Sequence, residues 1–298
     1  MNVALILVPD FLLIALGAAL RRWPALTPAF WSGLERLIYF VLFPALLVRS
    51  LAHAPLGSAG AATLVAIVVA ATLAGIALGA LAGPLFRLPP PTFGASFQCA
   101  FRFNTYVVLA VAVRMGGDAA LALAALLVGV LVPIVNVAAV AGLARGRALH
   151  VGRELARNPL LIACVVGLAA NALSLALPEW LDSVVAALGA AALPLGLIAV
   201  GAALSLTRGN LPYAALAWFH AIKLVAMPAL AFGLARYAQL APLETSVAVL
   251  MTAVPTAPSA YILASQMGGD GRAAAWLIST STLVAAVTLP LWLSLVLR

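Results

Sequence analysis

Met115-Gly116-Gly117-Asp118 and Met267-Gly268-Gly269-Asp270 are one tetrapeptide written twice, 152 positions apart. Three further landmarks keep their order in both halves. Pro9, Gly17 and Pro44 return as Pro159, Gly167 and Pro194, each 150 positions later. A period that splits the chain in two marks an internal duplication. Each half holds about five apolar stretches of the roughly 20 residues that cross a bilayer. Five is odd, so the second half enters the membrane from the opposite side. Duplication with inverted topology is the design of secondary transporters.

Composition sets the environment. Of 298 residues, 65% are hydrophobic and 8% charged, and mean hydropathy is +1.18. A soluble domain carries about 25% charged residues. The chain therefore reads as a polytopic membrane protein with the lipid bilayer as a partner. Its formal net charge of +8 does not point to nucleic acid. The cations stand singly or in small groups between apolar runs, with no basic stripe and no interleaved aromatics. Cys99 and Cys164 lie inside apolar runs without ligand-spaced partners, so no disulfide, metal site or cofactor is expected.

Ten spans are expected, at 3–20, 34–52, 60–86, 92–114 and 119–143, then 158–177, 181–206, 212–237, 244–267 and 272–297. The fold class is an all-α integral membrane protein of ten transmembrane helices in two inverted five-helix repeats, 1–146 and 156–298. The longest polar connection, Arg145 to Arg157, joins them. Val3 to Leu20 has the length of a signal peptide, but no basic leader precedes it and Arg21-Arg22 follow. That charge order suits a retained span. Loops after the odd spans carry Arg21, Arg22, Arg36, Arg87, Arg145, Arg147, Arg153, Arg157, Arg208 and Arg272. The opposite face carries Arg49, Arg114, Arg236 and Arg298. The cation-rich face is expected to be cytoplasmic, which leaves both termini extracytoplasmic. Abundant Arg and Ala with a single Lys suit a GC-rich coding sequence, and so a bacterial inner membrane.

Two cations remain, Arg102 and Lys223. Arg102 lies about ten residues from either end of span 4, about 15 Å of helix each way, which is too far to snorkel. Lys223 sits near the middle of span 8. A mid-membrane cation costs at least about 2.5–3.5 kcal/mol and needs a compensating partner. The eight acids (Asp10, Glu35, Asp118, Glu154, Glu179, Asp182, Glu244 and Asp270) read as span ends or loops. An anionic substrate held between the cations would compensate them, and so would backbone carbonyls freed by broken helices. His220, one turn before Lys223, fits a hydrogen-bonded packing role.

Val254-Pro255-Thr256-Ala257-Pro258-Ser259 lies near the centre of span 9. Its two prolines remove two backbone donors and clash with the preceding turn, so the helix should break there. Broken backbone at membrane depth is tolerated where it is buried or lines a cavity. The half-helix that follows aims free N–H groups and partial positive charge at that cavity, which favours a carboxylate. The 152-position shift places Arg102-Phe103-Asn104-Thr105 at the matching point of span 4. A mid-span Asn is expensive unless hydrogen-bonded, and Asn136, near Pro133 in span 5, is a second one. The candidate substrate-binding residues are Arg102, Asn104, Thr105, Asn136, Lys223, Pro255, Thr256, Pro258 and Ser259. The Met-Gly-Gly-Asp segments read as helix ends, with Gly closing one helix and Asp capping the next.

Arg-Phe-Asn-Thr in span 4, Val-Pro-Thr-Ala-Pro-Ser-Ala-Tyr-Ile-Leu-Ala with Met-Gly-Gly-Asp in span 9, and the ten-span inverted repeat resemble the auxin efflux carrier family, which includes bacterial malonate transporters. The resemblance implies a fold shared with bile acid:sodium symporters, with broken helices 4 and 9 crossing at mid-membrane. It implies a transport domain of helices 3–5 and 8–10 that slides like an elevator. A scaffold of helices 1, 2, 6 and 7 would often form a homodimer. Asn104-Thr105 and Pro255 to Ser259 fall on the family's motifs. In one departure, Tyr106 to Met115 lacks the Gly and Pro that commonly follow the Asn-Thr pair, so a partly unwound turn held by Arg102 is expected there.

The expected activity is export of a small organic anion, a carboxylate or dicarboxylate. Membrane potential would drive it, at about 2.3 kcal/mol per charge per 100 mV. A sodium- or proton-coupled importer is the competing reading, although no acid lies near the crossover to ligate sodium. An intramembrane enzyme would need paired acids, and the sequence offers none.

Overall fold

The computed structural model describes residues 3–54, 60–143, 158–175 and 177–296. The expected seam from Arg145 to Arg157, and with it the repeat boundaries at 146 and 156, lies outside the described residues. So do the loop cations Arg145, Arg147, Arg153 and Arg157, and Arg298.

Among the described residues every regular element is helical. In chain order these are α1 (Val3–Leu20), α2 (Pro28–Leu37), α3 (Phe43–Ala52), α4 (Gly60–Ala80), α5 (Ala82–Phe86), α6 (Pro90–Phe97) and α7 (Thr105–Leu143). The second half holds α8 (Pro159–Ala172), α9 (Glu179–Ala202), α10 (Tyr213–Ala221), α11 (Met227–Tyr237), α12 (Pro242–Ala253), α13 (Ser259–Gln266) and α14 (Gly271–Val296). Five stretches are long and apolar enough to cross a membrane: Gly60–Phe86, Pro90–Leu143, Glu179–Ala202, Tyr213–Tyr237 and Gly271–Val296. The sequence supplies the helix starts. Pro28, Pro90, Pro159 and Pro242 each occupy a first turn, where a missing N–H costs nothing. Asn158 Oδ1 accepts from Leu160 N and Leu161 N and caps α8.

Prolines also shape the interiors. Two five-residue π turns, Ile38–Leu42 and Ile222–Ala226, precede Phe43-Pro44 and Met227-Pro228. Pro228 cannot donate to Leu224 O four residues back. The indole of Trp292 does so instead, at 2.9 Å. The second π turn contains Lys223, so the extra residue in that turn sets the direction of its side chain.

Close packing relies on small residues, as expected where lipid supplies no hydrophobic drive between helices. α1 and α9 approach backbone to backbone. A Cβ on Gly17 would overlap the Ile198 carbonyl, and one on Gly201 the Ile14 carbonyl. α3 packs on α8 in the same manner, with Gly167 against Val48 and Leu51. Asn171 Nδ2 then donates to Ala52 O and Ala54 O at 2.9 and 2.8 Å. Within α7, Gly116 and Gly117 leave helical geometry, and Gly117 takes φ +58°. In the second tetrapeptide Gly268 takes φ +73°. Asp270 Oδ1 accepts from Ala273 N at 3.0 Å and caps α14.

One charge differs from the sequence reading. Asp10 is not at a span end: α1 begins seven residues before it, and its side chain is buried. Arg114, counted above as a loop cation, reaches it at 2.7 Å. That pairing is what lets a carboxylate sit inside an apolar helix pair.

Candidate functional site

Two non-helical segments meet inside the protein. Helical geometry stops after a 3₁₀ turn at Gln98–Ala100 and resumes at Thr105. It stops again after Ala253 and resumes at Ser259. The chains on either side run antiparallel. At one end Asp270 N donates to Pro91 O at 3.1 Å, and Thr92 Oγ1 donates to Asp270 Oδ2 at 3.2 Å. At the other end a Cβ on Gly116 would lie 2.7 Å from Leu243 Cδ1. Between them the two interruptions cross.

Buried backbone without helical partners must bond elsewhere, and here it bonds across the crossing. Asn104 N donates to Pro255 O at 2.9 Å. Thr256 Oγ1 donates to Cys99 O at 2.8 Å, and Gln98 Nε2 donates to Ala260 O at 2.9 Å. Thr256 N donates in turn to Ser281 Oγ at 3.3 Å. Asn104 then starts the next helix, because its Oδ1 accepts from Tyr106 N and Val107 N at 3.1 and 3.3 Å. With that cap in place, the helix restarts after Phe101–Asn104 without a Gly or Pro in Tyr106 to Met115.

The two buried cations, Arg102 and Lys223, have neutral oxygen partners. Arg102 Nη1 donates to Gln98 Oε1 at 2.9 Å, and Nη2 donates to Asn136 Oδ1 at 2.8 Å. Lys223 Nζ donates to Thr252 O at 2.8 Å, at the C-terminal end of α12. Neither touches a carboxylate among the described residues. His220 Nδ1 lies 2.7 Å from Leu216 O, a bond within its own helix.

A cavity of about 660 Å³ lies against the crossing. Asn104, Thr105, Ala257, Pro258 and Ser259 line its inner end, while Leu263 and Gln266 line it further along α13. The facing wall comes from Ser32, Glu35, Arg36, Tyr39 and Phe40 with Leu160, Ala199 and Val200. The N-termini of α7 and α13 therefore both border this space and turn their partial positive charge toward it. Asn104 Nδ2 is buried and has no hydrogen-bond partner among the described residues, an expensive condition unless a ligand or water accepts from it.

The nine candidate residues fall into two groups. Asn104, Thr105, Pro258 and Ser259 line the cavity. Pro255 and Thr256 lie behind it in the crossing, Arg102 and Asn136 bond one another, and Lys223 braces α12. The wall formed by Ser32, Glu35, Arg36 and Tyr39 was not anticipated. These residues stand at helical spacing on one face, and that periodicity was the available signal. Glu35 and Arg36 were read as boundary charges because they adjoin an apolar run. Gln98, which joins Arg102 to Ala260, carried no motif.

A cavity of mixed apolar and polar lining, bordered by two helix starts and set among apolar helices, is the candidate site of a membrane protein. A family profile described as membrane transport protein matches residues 144–293, half of the chain. The chain belongs to this family, that of the auxin efflux carriers. It is also 32% identical over 144 residues to a protein of Rhizobium meliloti (strain 1021) provisionally named a malonate transporter. That alignment covers 47% of this chain and 45% of the relative, so the chain spans about half the length of the curated relative it matches.

Proposed function

We propose that the chain is a secondary carrier that exports a small carboxylate or dicarboxylate from the cytoplasm by elevator-type alternating access. The observation that carries this reading is Asn104. Its amide N–H₂ is unpartnered among the described residues, at the inner end of a cavity flanked by two helix N-termini. A carboxylate accepts from such donors, and charge-assisted bonds of this kind are the strong ones. Thr105 and Ser259 add hydroxyls. Arg102, held behind the crossing by Gln98 and Asn136, adds positive potential without contact. Arg36 on the facing wall suits the second carboxylate of a dicarboxylate, in keeping with the name of the Rhizobium relative.

In the same reading the ten spans form two inverted repeats. Helices 3–5 and 8–10 carry the crossing as the moving body, and helices 1, 2, 6 and 7 form the scaffold and a homodimer contact. The cavity then lies between the two bodies. It opens toward the cation-rich, cytoplasmic face, because α2 and α13 meet that face at the Ser32 and Gln266 ends. Both termini are extracytoplasmic, in an inner membrane. Sodium coupling is disfavoured because the Lys223 ammonium already occupies the Thr252 carbonyl at the C-terminal helix end, the kind of place where such ions bind.

The test is charge movement in sodium-free proteoliposomes on addition of a panel of mono- and dicarboxylates. A current with one acid, weakened in Asn104→Ala, is expected. A current that appears only with sodium overturns the uncoupled mechanism. Silence with and without sodium across the panel overturns the anion assignment.

A further inference from the structure

We infer that the Asp10–Arg114 ion pair is a bolt that closes the extracytoplasmic side of the protein while the cavity is open to the cytoplasm. It must open in every transport cycle. The inference rests on the two-body reading above.

Two carboxylate–cation pairs occur among the described residues, and they differ in what they join. Arg49 and Asp182 pair at 3.0 Å between α3 and α9. α3 packs on α8 through Gly167, and on α9 through Gly189 against Leu46. All three belong to the scaffold, so that bond can persist through any sliding of the other body. Asp10 is on α1, which the Gly17–Ile198 and Gly201–Ile14 contacts lock to α9. Its partner Arg114 is on α7, in the stretch that follows the crossing and ends against Leu243 of α12. The 2.7 Å bond therefore spans the two bodies.

Its position is opposite the cavity. Arg114 lies nine residues beyond Thr105, about 14 Å along the helix from the cavity's inner end. The cavity extends the other way, along α13 toward Gln266. A slide of one helical turn, about 5.4 Å, breaks a contact of this length.

The pair is also one that the protein cannot lose without consequence. Asp10 is 2% exposed. Its Oδ1 bonds Arg114, and its Oδ2 has no partner among the described residues. Withdrawing the guanidinium strands a buried charge, which is far more costly than losing an exposed pair. Arg114 itself is 38% exposed at its side chain, against 3% for Asp10, so the cost of parting falls mainly on the carboxylate. The bolt thus weights the resting population toward the cytoplasm-open form.

The experiment uses the full chain with an Ala257→Cys reporter in the cavity, at a lining residue to which no substrate contact is assigned. The native Cys99 and Cys164 are buried and react slowly. Labelling by a membrane-impermeant maleimide is timed from each face of the membrane. Asp10→Asn, and independently Arg114→Gln, should raise the ratio of outside to cytoplasmic labelling at least tenfold. The exchange Asp10→Arg with Arg114→Asp should return it toward the original ratio. An unchanged ratio in both folded single variants overturns the bolt, whatever the transport assay shows. A shifted ratio that the exchange reverses supports it. If that occurs in a protein that moves no carboxylate, the bolt stands and the substrate assignment fails.

Discussion

Asn104→Asp separates the two tasks of one side chain. Asn104 Oδ1 caps α7 through Tyr106 N and Val107 N, while Nδ2 faces the cavity unpartnered. Aspartate keeps an acceptor for both N–H groups and replaces the Nδ2 donor with a second oxygen. The fold should therefore persist. The substrate carboxylate loses a charge-assisted hydrogen bond of about 1.5–3 kcal/mol, a loss of about 10- to 150-fold in affinity at 1.4 kcal/mol per decade. Repulsion between two carboxylates adds to that. Asn104→Ala removes both tasks, and loss of the cap alone costs about 0.5–2 kcal/mol of stability. Calorimetric titration of the purified protein with the best acid from the panel, paired with thermal unfolding, reads the two effects apart. The expected pattern is an Asp variant of near-native Tm with binding weakened at least tenfold, and an Ala variant lowered in both. An Asp variant that binds within twofold of the parent refutes the assignment of Nδ2 to substrate.

Three further perturbations probe the frame around that site. Gly201→Leu drives a side chain into the Ile14 carbonyl and should abolish monodisperse protein on size-exclusion chromatography. Lys223→Met deletes one bond to Thr252 O but also removes a buried charge that lies outside the cavity lining. Carboxylate affinity should then stay within threefold, and a tenfold loss by titration would bring Lys223 into the site. Arg49→Ala breaks a pair whose side chains are 40% and 29% exposed, so thermal unfolding should show no resolvable change in Tm.

Hydropathy sufficed for the membrane class, because 8% charged residues leave a chain of this length no soluble alternative. The motifs around Asn104 and Pro255 carried the resemblance to the family that the profile match then showed, while their cost in an apolar run marked them as a candidate site. What the sequence concealed were contacts between distant positions. Arg102 and Asn136 each carried a signal, but nothing in either announced that they bond one another across 34 residues. Asp10 read as a boundary residue because its partner Arg114 is 104 positions away. The cavity wall at Ser32 to Tyr39 was missed for a related reason. The four lining residues from Ser32 to Tyr39 span only two turns, too short a run for helical periodicity to stand out.

The bond from Asn104 N to Pro255 O belongs to the main chain on both sides. No single substitution deletes it except proline at 104. The junction between the halves is therefore insulated from drift in the side chains around it. Thr105, Ser259 and the residues of the facing wall are free to vary without dismantling the frame that presents them. If the proposed site is right, a lineage could change the solute it accepts by altering those residues, while inheriting the crossing intact.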